Sequence, residues 1–223
     1  MPSVLITGCD TGLGLEFARQ YAAEGYRVFA TCLEPAAASA TRAIKGDVRV
    51  LKLDVSDRAA IERLAVELRG EPIDILLSNA GLGKHHPGFG RTDYAMWQRV
   101  LEVNLIGPMK LAEAFVEHVA ASSMKVMAFV SSRMGSIALN LTGGSYAYRS
   151  SKAGLNAIVK SLAVDLQPRG ILVLALHPGW AKTEPGARVD VDRSVAGMRA
   201  VIERCSRHET GSFFAFNDTP LPW

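Results

Sequence analysis

Apolar and polar positions follow two rhythms along this chain. Short, almost wholly apolar runs such as Val4–Thr7, Ile73–Ser78 and Val126–Val130 alternate with longer stretches whose apolar residues recur every three or four positions. Runs that are apolar on both faces suit strands covered by helices on each side, as in parallel sheets. The pattern predicts strands at Val4–Thr7, Arg27–Cys32, Val48–Asp54, Ile73–Ser78, Val126–Val130, Ile171–His177 and Ser212–Phe216. Helices are predicted at Leu13–Glu24, Ala36–Ile44, Ala59–Arg69, Ala95–Val119, Ser145–Gln167 and Val191–Arg207. Pro168 and Gly170 stop the fifth of these. Such alternation predicts an α/β fold, a doubly wound parallel sheet of about seven strands with helices on both faces. No linker, repeat or low-complexity segment interrupts it, so residues 1–223 are read as a single domain.

Composition changes this picture little. Of 223 residues, 48% are hydrophobic and 21% charged, ordinary values for a packed core. A net charge of +3 without a run of like charges gives no reason to expect a nucleic-acid partner. The opening apolar run reads as a buried strand without a charged leader, and no apolar stretch approaches the length of a membrane span. A cytoplasmic protein without membrane attachment is the expectation. Cys9, Cys32 and Cys205 have neither disulfide-like nor zinc-like spacing, and no metal site is expected.

Two motifs carry candidate chemistry. Thr7-Gly8-Cys9-Asp10-Thr11-Gly12-Leu13-Gly14 follows a strand and opens a helix. Free N–H groups and the helix dipole make that N-terminus a site for a pyrophosphate, and glycines let it approach. A third glycine lets helix and strand pack tightly. Tight turns also use glycine for purely structural reasons, so context matters.

The second motif is Tyr148-Arg149-Ser150-Ser151-Lys152 at the start of a predicted helix. Residues four apart share one helix face. A phenol ionises near pH 10 and is a poor acid or base at neutrality. A neighbouring ammonium favours the phenolate and equips it to exchange a proton with an alcohol or alkoxide. Tyr146 is a rival, but the residue four positions on is Ser150, which brings no charge.

Together these motifs resemble the short-chain dehydrogenase/reductase family over essentially the whole chain, which implies a single-domain Rossmann-type fold. Gly8, Asp10, Thr11, Gly12, Leu13 and Gly14 fall in its Thr-Gly-x-x-x-Gly-x-Gly turn. Leu53-Asp54-Val55 is similar to its adenine-contacting strand end, and Ser78-Asn79-Ala80-Gly81 to its Asn-Asn-Ala-Gly segment. Pro178, Gly179 and Thr183 match the segment that touches the nicotinamide carboxamide. Asn104, Ser132, Tyr148 and Lys152 stand where the family has its catalytic residues, with Lys152 also on the nicotinamide ribose. Gly107-Pro108 follows Asn104 and implies a disturbed helix there. Ser131-Ser132-Arg133-Met134-Gly135-Ser136 and His177-Pro178-Gly179-Trp180 are further similar to the C-factor and sniffer group.

The resemblance implies an NAD(P)-dependent carbonyl reductase or alcohol dehydrogenase acting on a small or medium carbonyl or alcohol. The alternative is a dinucleotide-binding signalling protein with little turnover. NAD(H) is favoured over NADP(H), because Thr11 and Leu33 occupy places where a cation would pair the extra phosphate, and Glu34 follows. Cys32, however, occupies the usual acid position, and Arg42 is a cation able to fold back toward a phosphate. Ala153, Ala157 and Ser161 form a small-residue stripe suited either to a homodimer or homotetramer interface or to internal packing.

Overall fold

The computed structural model describes residues 1–83, 88–181 and 189–223. Its seven strands form one sheet: β1 Ser3–Thr7, β2 Arg27–Cys32, β3 Val48–Lys52, β4 Ile75–Ser78, β5 Val126–Val130, β6 Leu172–His177 and β7 Ser212–Ala215. The order across the sheet is β3-β2-β1-β4-β5-β6-β7, and every neighbouring pair is parallel. The chain builds outward from β1 in one direction, then returns to its other side at β4. The connections after β1 and β4 therefore part company, opening a crevice at the strand C-termini where ligands bind in such sheets.

Why the strands lack polar faces is visible in the two cores. Val4, Ile6, Ile75, Leu77 and Ala128 point to one face, against helices α1 (Gly12–Ala23) and α7 (Val191–Arg204). Their neighbours Leu5, Leu76, Met127 and Phe129 point to the other. There they meet α3 (Arg58–Glu67), α5 (Gly107–Ala120) and α6 (Tyr146–Leu166). Period-two alternation thus puts an apolar residue on each side at every step. Burial of each such Leu, Ile or Phe stabilises the fold by about 1.5–3 kcal/mol.

Most boundaries shift by one to three residues, and three of the differences have a visible cause. The stretch predicted as helix over Ala36–Ile44 shrinks to α2, Ser39–Arg42, because Pro35 and turn bonds from Ala37 and Ala38 to Glu34 occupy its start. The predicted Ala95–Val119 helix divides into α4 (Tyr94–Leu101), a π-helical turn at Glu102–Ile106, and α5. The strand predicted from Ile73 begins at Ile75. Asp74 is buried, and its carboxylate accepts the Ser3, Ser123 and Met124 N–H groups, pinning the opposite end of the sheet.

Candidate active site

At the C-terminal end of β1, Gly8 has φ +73° and Gly12 φ +60°, conformations that favour glycine. A Cβ on Gly8 would lie 2.9 Å from Ala80 Cα, and one on Gly14 only 2.0 Å from the Gly8 carbonyl oxygen. Gly14 thus lets α1 sit on the turn, while Gly8 lets the turn sit on the segment after β4. The Thr7 hydroxyl accepts the Asn79 and Ala80 N–H groups, both at 3.0 Å. Asn79 Nδ2 donates to the Thr7 and Gly8 carbonyls at 2.9 and 3.2 Å. Two turns distant in sequence become one rigid floor.

Above this floor lies a cavity of about 530 Å³, lined by Gly8, Asp10, Thr11, Gly12 and Leu13 on one side. Leu33, Asp54, Val55, Ala80 and Gly81 face them. The Thr11 side chain does not cap α1, leaving its first N–H groups to an anion. This bare N-terminus, with backbone where side chains would obstruct, fits a dinucleotide pyrophosphate. Asp10 is turned toward β2, its carboxylate accepting the Leu33 N–H at 3.1 Å. Asp54 accepts the Ser56 N–H and hydroxyl at 2.9 and 2.7 Å.

A second cavity of about 840 Å³ adjoins the first, the two sharing Leu13, Asn79, Gly81 and Leu82. Ser132, Tyr148, Lys152, Pro178 and Gly179 line it, so most of the predicted residues come together here. Thr183 lies outside the described residues, as do Lys84, His85 and His86. Tyr146 is 38% exposed and does not line the cavity.

Lys152 is buried, and its Nζ lies 6.0 Å from the Tyr148 ring centroid. Nζ donates to the Val130 carbonyl at 2.8 Å. Burial pushes its pKa down to about 8. Ser132 is extended, caps the 3₁₀ turn Arg133–Gly135 and accepts the Met134 N–H at 3.2 Å. A Cβ on Gly135 would meet the Lys152 carbonyl carbon at 2.7 Å, so this turn presses directly on α6. Both Ser131 and Ser132 line the cavity, but the Ser131 hydroxyl donates to Asn156 Oδ1 at 2.6 Å.

Asn104 sits in the π-helical turn and is fully buried. Its Oδ1 accepts the Leu82 N–H at 2.8 Å, and its Nδ2 donates to the Leu82 carbonyl and Ser151 hydroxyl, both at 3.2 Å. It ties the segment after β4 to α6. A Cβ on Gly81 would stand 3.3 Å from Asn104 Oδ1 and 3.8 Å from Lys152 Nζ. The disturbed helix expected beside Gly107 is thus a π-turn whose asparagine spans two elements.

Further walls of the cavity come from the residues after β7 and from the loop ahead of α6. Phe216, Thr219, Pro220 and Leu221 line it, brought over by the Leu221 N–H bond to the Phe213 carbonyl at 2.8 Å. Trp223 stacks on Phe213, and its carbonyl oxygen accepts the Ala138 N–H at 3.1 Å. Arg149 donates to the Gly143 carbonyl, Met134 carbonyl and Thr142 hydroxyl, closing the loop that holds Leu139. Each is a contact between distant residues or within an irregular loop, invisible to periodicity. Arg42 donates to the Ala36 carbonyl at 2.9 Å and does not line the first cavity.

Among the described residues there is no cluster of potential metal ligands and no helix long and apolar enough to cross a membrane.

Residues 2–194 match the model of the short chain dehydrogenase family, and the chain belongs to that family. It is an oxidoreductase dependent on a nicotinamide dinucleotide. C-signal from Myxococcus xanthus is 39% identical over 155 residues, covering 68% of this chain and 93% of that protein. The structure of carbonyl reductase Sniffer from D. melanogaster superposes with a TM-score of 0.93 at 30% identity, covering all of both chains. An NADPH-bound carbonyl reductase from chicken fatty liver superposes with a TM-score of 0.92 at 28% identity, covering 100% of this chain and 94% of that one.

Proposed function

We propose that this protein is a carbonyl reductase or alcohol dehydrogenase that moves hydride between NAD(H) and a small or medium carbonyl or alcohol. The observation that carries the reading is that Ser132, Tyr148 and Lys152 line one cavity directly beside the dinucleotide turn. When bound, the nicotinamide supplies or takes up the hydride. Tyr148 gives its phenolic proton to the oxygen that gains charge during reduction, and recovers it in the reverse direction. Ser132 donates a hydrogen bond to the same oxygen. The Lys152 ammonium favours the Tyr148 phenolate and holds the nicotinamide ribose. Asn104 positions these groups by joining Leu82 to Ser151, the neighbour of Lys152.

Gly8, Asp10, Thr11, Gly12 and Leu13 hold the pyrophosphate end, while Gly14 acts through packing. Leu33, Asp54 and Val55 receive the adenosine, Asn79, Ala80 and Gly81 form the floor, and Pro178, Gly179 and Thr183 take the carboxamide. NAD(H) is favoured because Thr11 and Leu33 bring no cation, and the Asp10 carboxylate stands at Leu33. Glu34 pairs with Lys52 at 2.8 Å, which offsets its own repulsion of a phosphate. The reading includes one cytoplasmic domain over residues 1–223, assembled as a homodimer or homotetramer. Ala157 and Ser161 are exposed on α6, as an interface between copies requires.

The test is turnover of a carbonyl and alcohol panel with NADH and NADPH, comparing wild type with Tyr148→Phe. A loss of about 10²- to 10⁴-fold is expected, with dinucleotide binding retained and NADH bound more tightly than NADPH. Equal turnover by both proteins removes Tyr148 from the chemistry, and tighter NADPH binding overturns the NAD assignment. Likeness to C-signal favours a second reading, a dinucleotide-binding signalling protein. Tight binding with no turnover on the whole panel selects that one.

A further inference from the structure

Charge is unevenly distributed around the 840 Å³ cavity. Its described lining contains no aspartate or glutamate, and its lysine and arginine side chains are Lys152 and Arg133. Lys152 is buried, bonded to the Val130 carbonyl and close to Tyr148. Arg133 is different. It directly follows Ser132 and is exposed on the 3₁₀ turn, whose backbone is held by the Gly135 N–H to Ser132 carbonyl bond at 2.8 Å.

Most guanidinium groups elsewhere in the molecule are occupied. Arg27, Arg49, Arg169, Arg199 and Arg204 each engage a carboxylate, and Arg149 is tied to the loop it closes. Among the described residues, Arg133 makes no side-chain hydrogen bond or ion pair. It therefore stands at the cavity with its donors uncommitted and, among the described residues, no acidic lining residue to neutralise it. Leu139, Trp180 and Phe216 supply apolar surface elsewhere in the cavity lining.

Ser132 and Arg133 are adjacent in the chain, and both line this cavity. A planar guanidinium with free donors matches a carboxylate, which it can bind through two parallel hydrogen bonds. We infer that the substrate is an oxo acid, or the corresponding hydroxy acid. Its carbonyl lies at Ser132 and Tyr148, its carboxylate at Arg133, and its apolar body against Leu139 and Trp180. This assignment rests on the carbonyl reductase reading and adds the charge class of the substrate.

Benzoylpropionate and its uncharged methyl ester provide the test, as they share the ketone and the phenyl group. Each is assayed with the full-length protein and saturating dinucleotide, for wild type, Arg133→Gln and Arg133→Lys. Wild type is expected to favour the acid, mainly through a lower KM. Arg133→Gln should cut the acid-to-ester ratio of kcat/KM by roughly tenfold, the scale of one hydrogen-bonded charge pair. Arg133→Lys keeps the charge without the fork and should fall between. Added salt should raise the KM of the acid alone in wild type. Reduction of both compounds without preference for the acid, or a preference that survives Arg133→Gln, overturns the inference and leaves the reductase reading standing. If neither compound nor any other carbonyl is reduced while the dinucleotide binds, the reductase reading fails and the inference falls with it.

Discussion

The crevice has two ends built in contrasting ways. Beside β1 and β2 its wall is mostly backbone and small residues from one short stretch, Thr7 to Gly14, locked to Asn79 and Ala80. Beside β5 to β7 it is made of side chains delivered by the turn after β5, by α6, by the segment after β6 and by the residues after β7. The first construction leaves little freedom, since a methyl group added at Gly8 or Gly14 collides with main chain. The second can vary, because Ile137 and Leu141 are 79% and 90% exposed and meet few neighbours. A constant dinucleotide needs a fixed receptacle, whereas substrate choice is set by loops that can change without unfolding the sheet.

The strongest challenge to this contrast is Gly14→Ala. With its new Cβ 2.0 Å from the Gly8 carbonyl, either α1 or the turn must move. The expected cost is about 3 kcal/mol, a fall in Tm of roughly 10 °C, together with lost dinucleotide binding. Leu141→Ala at the other end should cost under about 0.5 kcal/mol. Calorimetry showing equal losses, or none at Gly14, contradicts the division into rigid and variable ends.

Lys152 stands between the two ends, and pH examines it. Because burial lowers its pKa to about 8, the ammonium dominates below that pH and the neutral amine above it. Reduction needs the ammonium beside Tyr148, so kcat/KM for carbonyl reduction should decline above pH 8, by up to about tenfold per pH unit. A profile that stays flat or rises through the alkaline limb removes Lys152 charge from the reductive step.

The smallest effect is expected at Arg149, which closes the loop from Met134 to Gly143 from outside the chemistry. Arg149→Ala releases Leu139 from its place in the cavity wall. Steady-state kinetics should show KM for the carbonyl rising about three- to tenfold, with kcat and dinucleotide affinity within about twofold of wild type. A fall in kcat at unchanged KM places Arg149 in positioning Tyr148, its neighbour, instead of the loop.

How much of this was legible in the chain varies by residue. The glycine turn could be recognised because its chemistry is local, a strand, three glycines and a helix start within Thr7–Gly14. Tyr148 and Lys152 could be paired because one helical turn brings them to the same face. Ser132 was separable from Ser131 only by family resemblance, and the bond from Ser131 to Asn156 could not be read from the chain. The π-turn around Asn104 was foreshadowed by Gly107-Pro108, but its partners Leu82 and Ser151 were not. Arg133 looked like part of a motif until the described lining of the cavity proved to hold no carboxylate.

By itself, the sequence determined the seven strands, the helices that cover them and the glycine turn between the first strand and helix. These depend on periodicity and on the conformational freedom of glycine, properties of neighbouring residues. Only the tertiary structure decided that Phe216 and Leu221 close the substrate cavity, that Trp223 stacks on Phe213, and that Asp10 reaches Leu33. Those contacts join residues through space, and they exist because packing both faces of one twisted sheet leaves each strand end only certain neighbours.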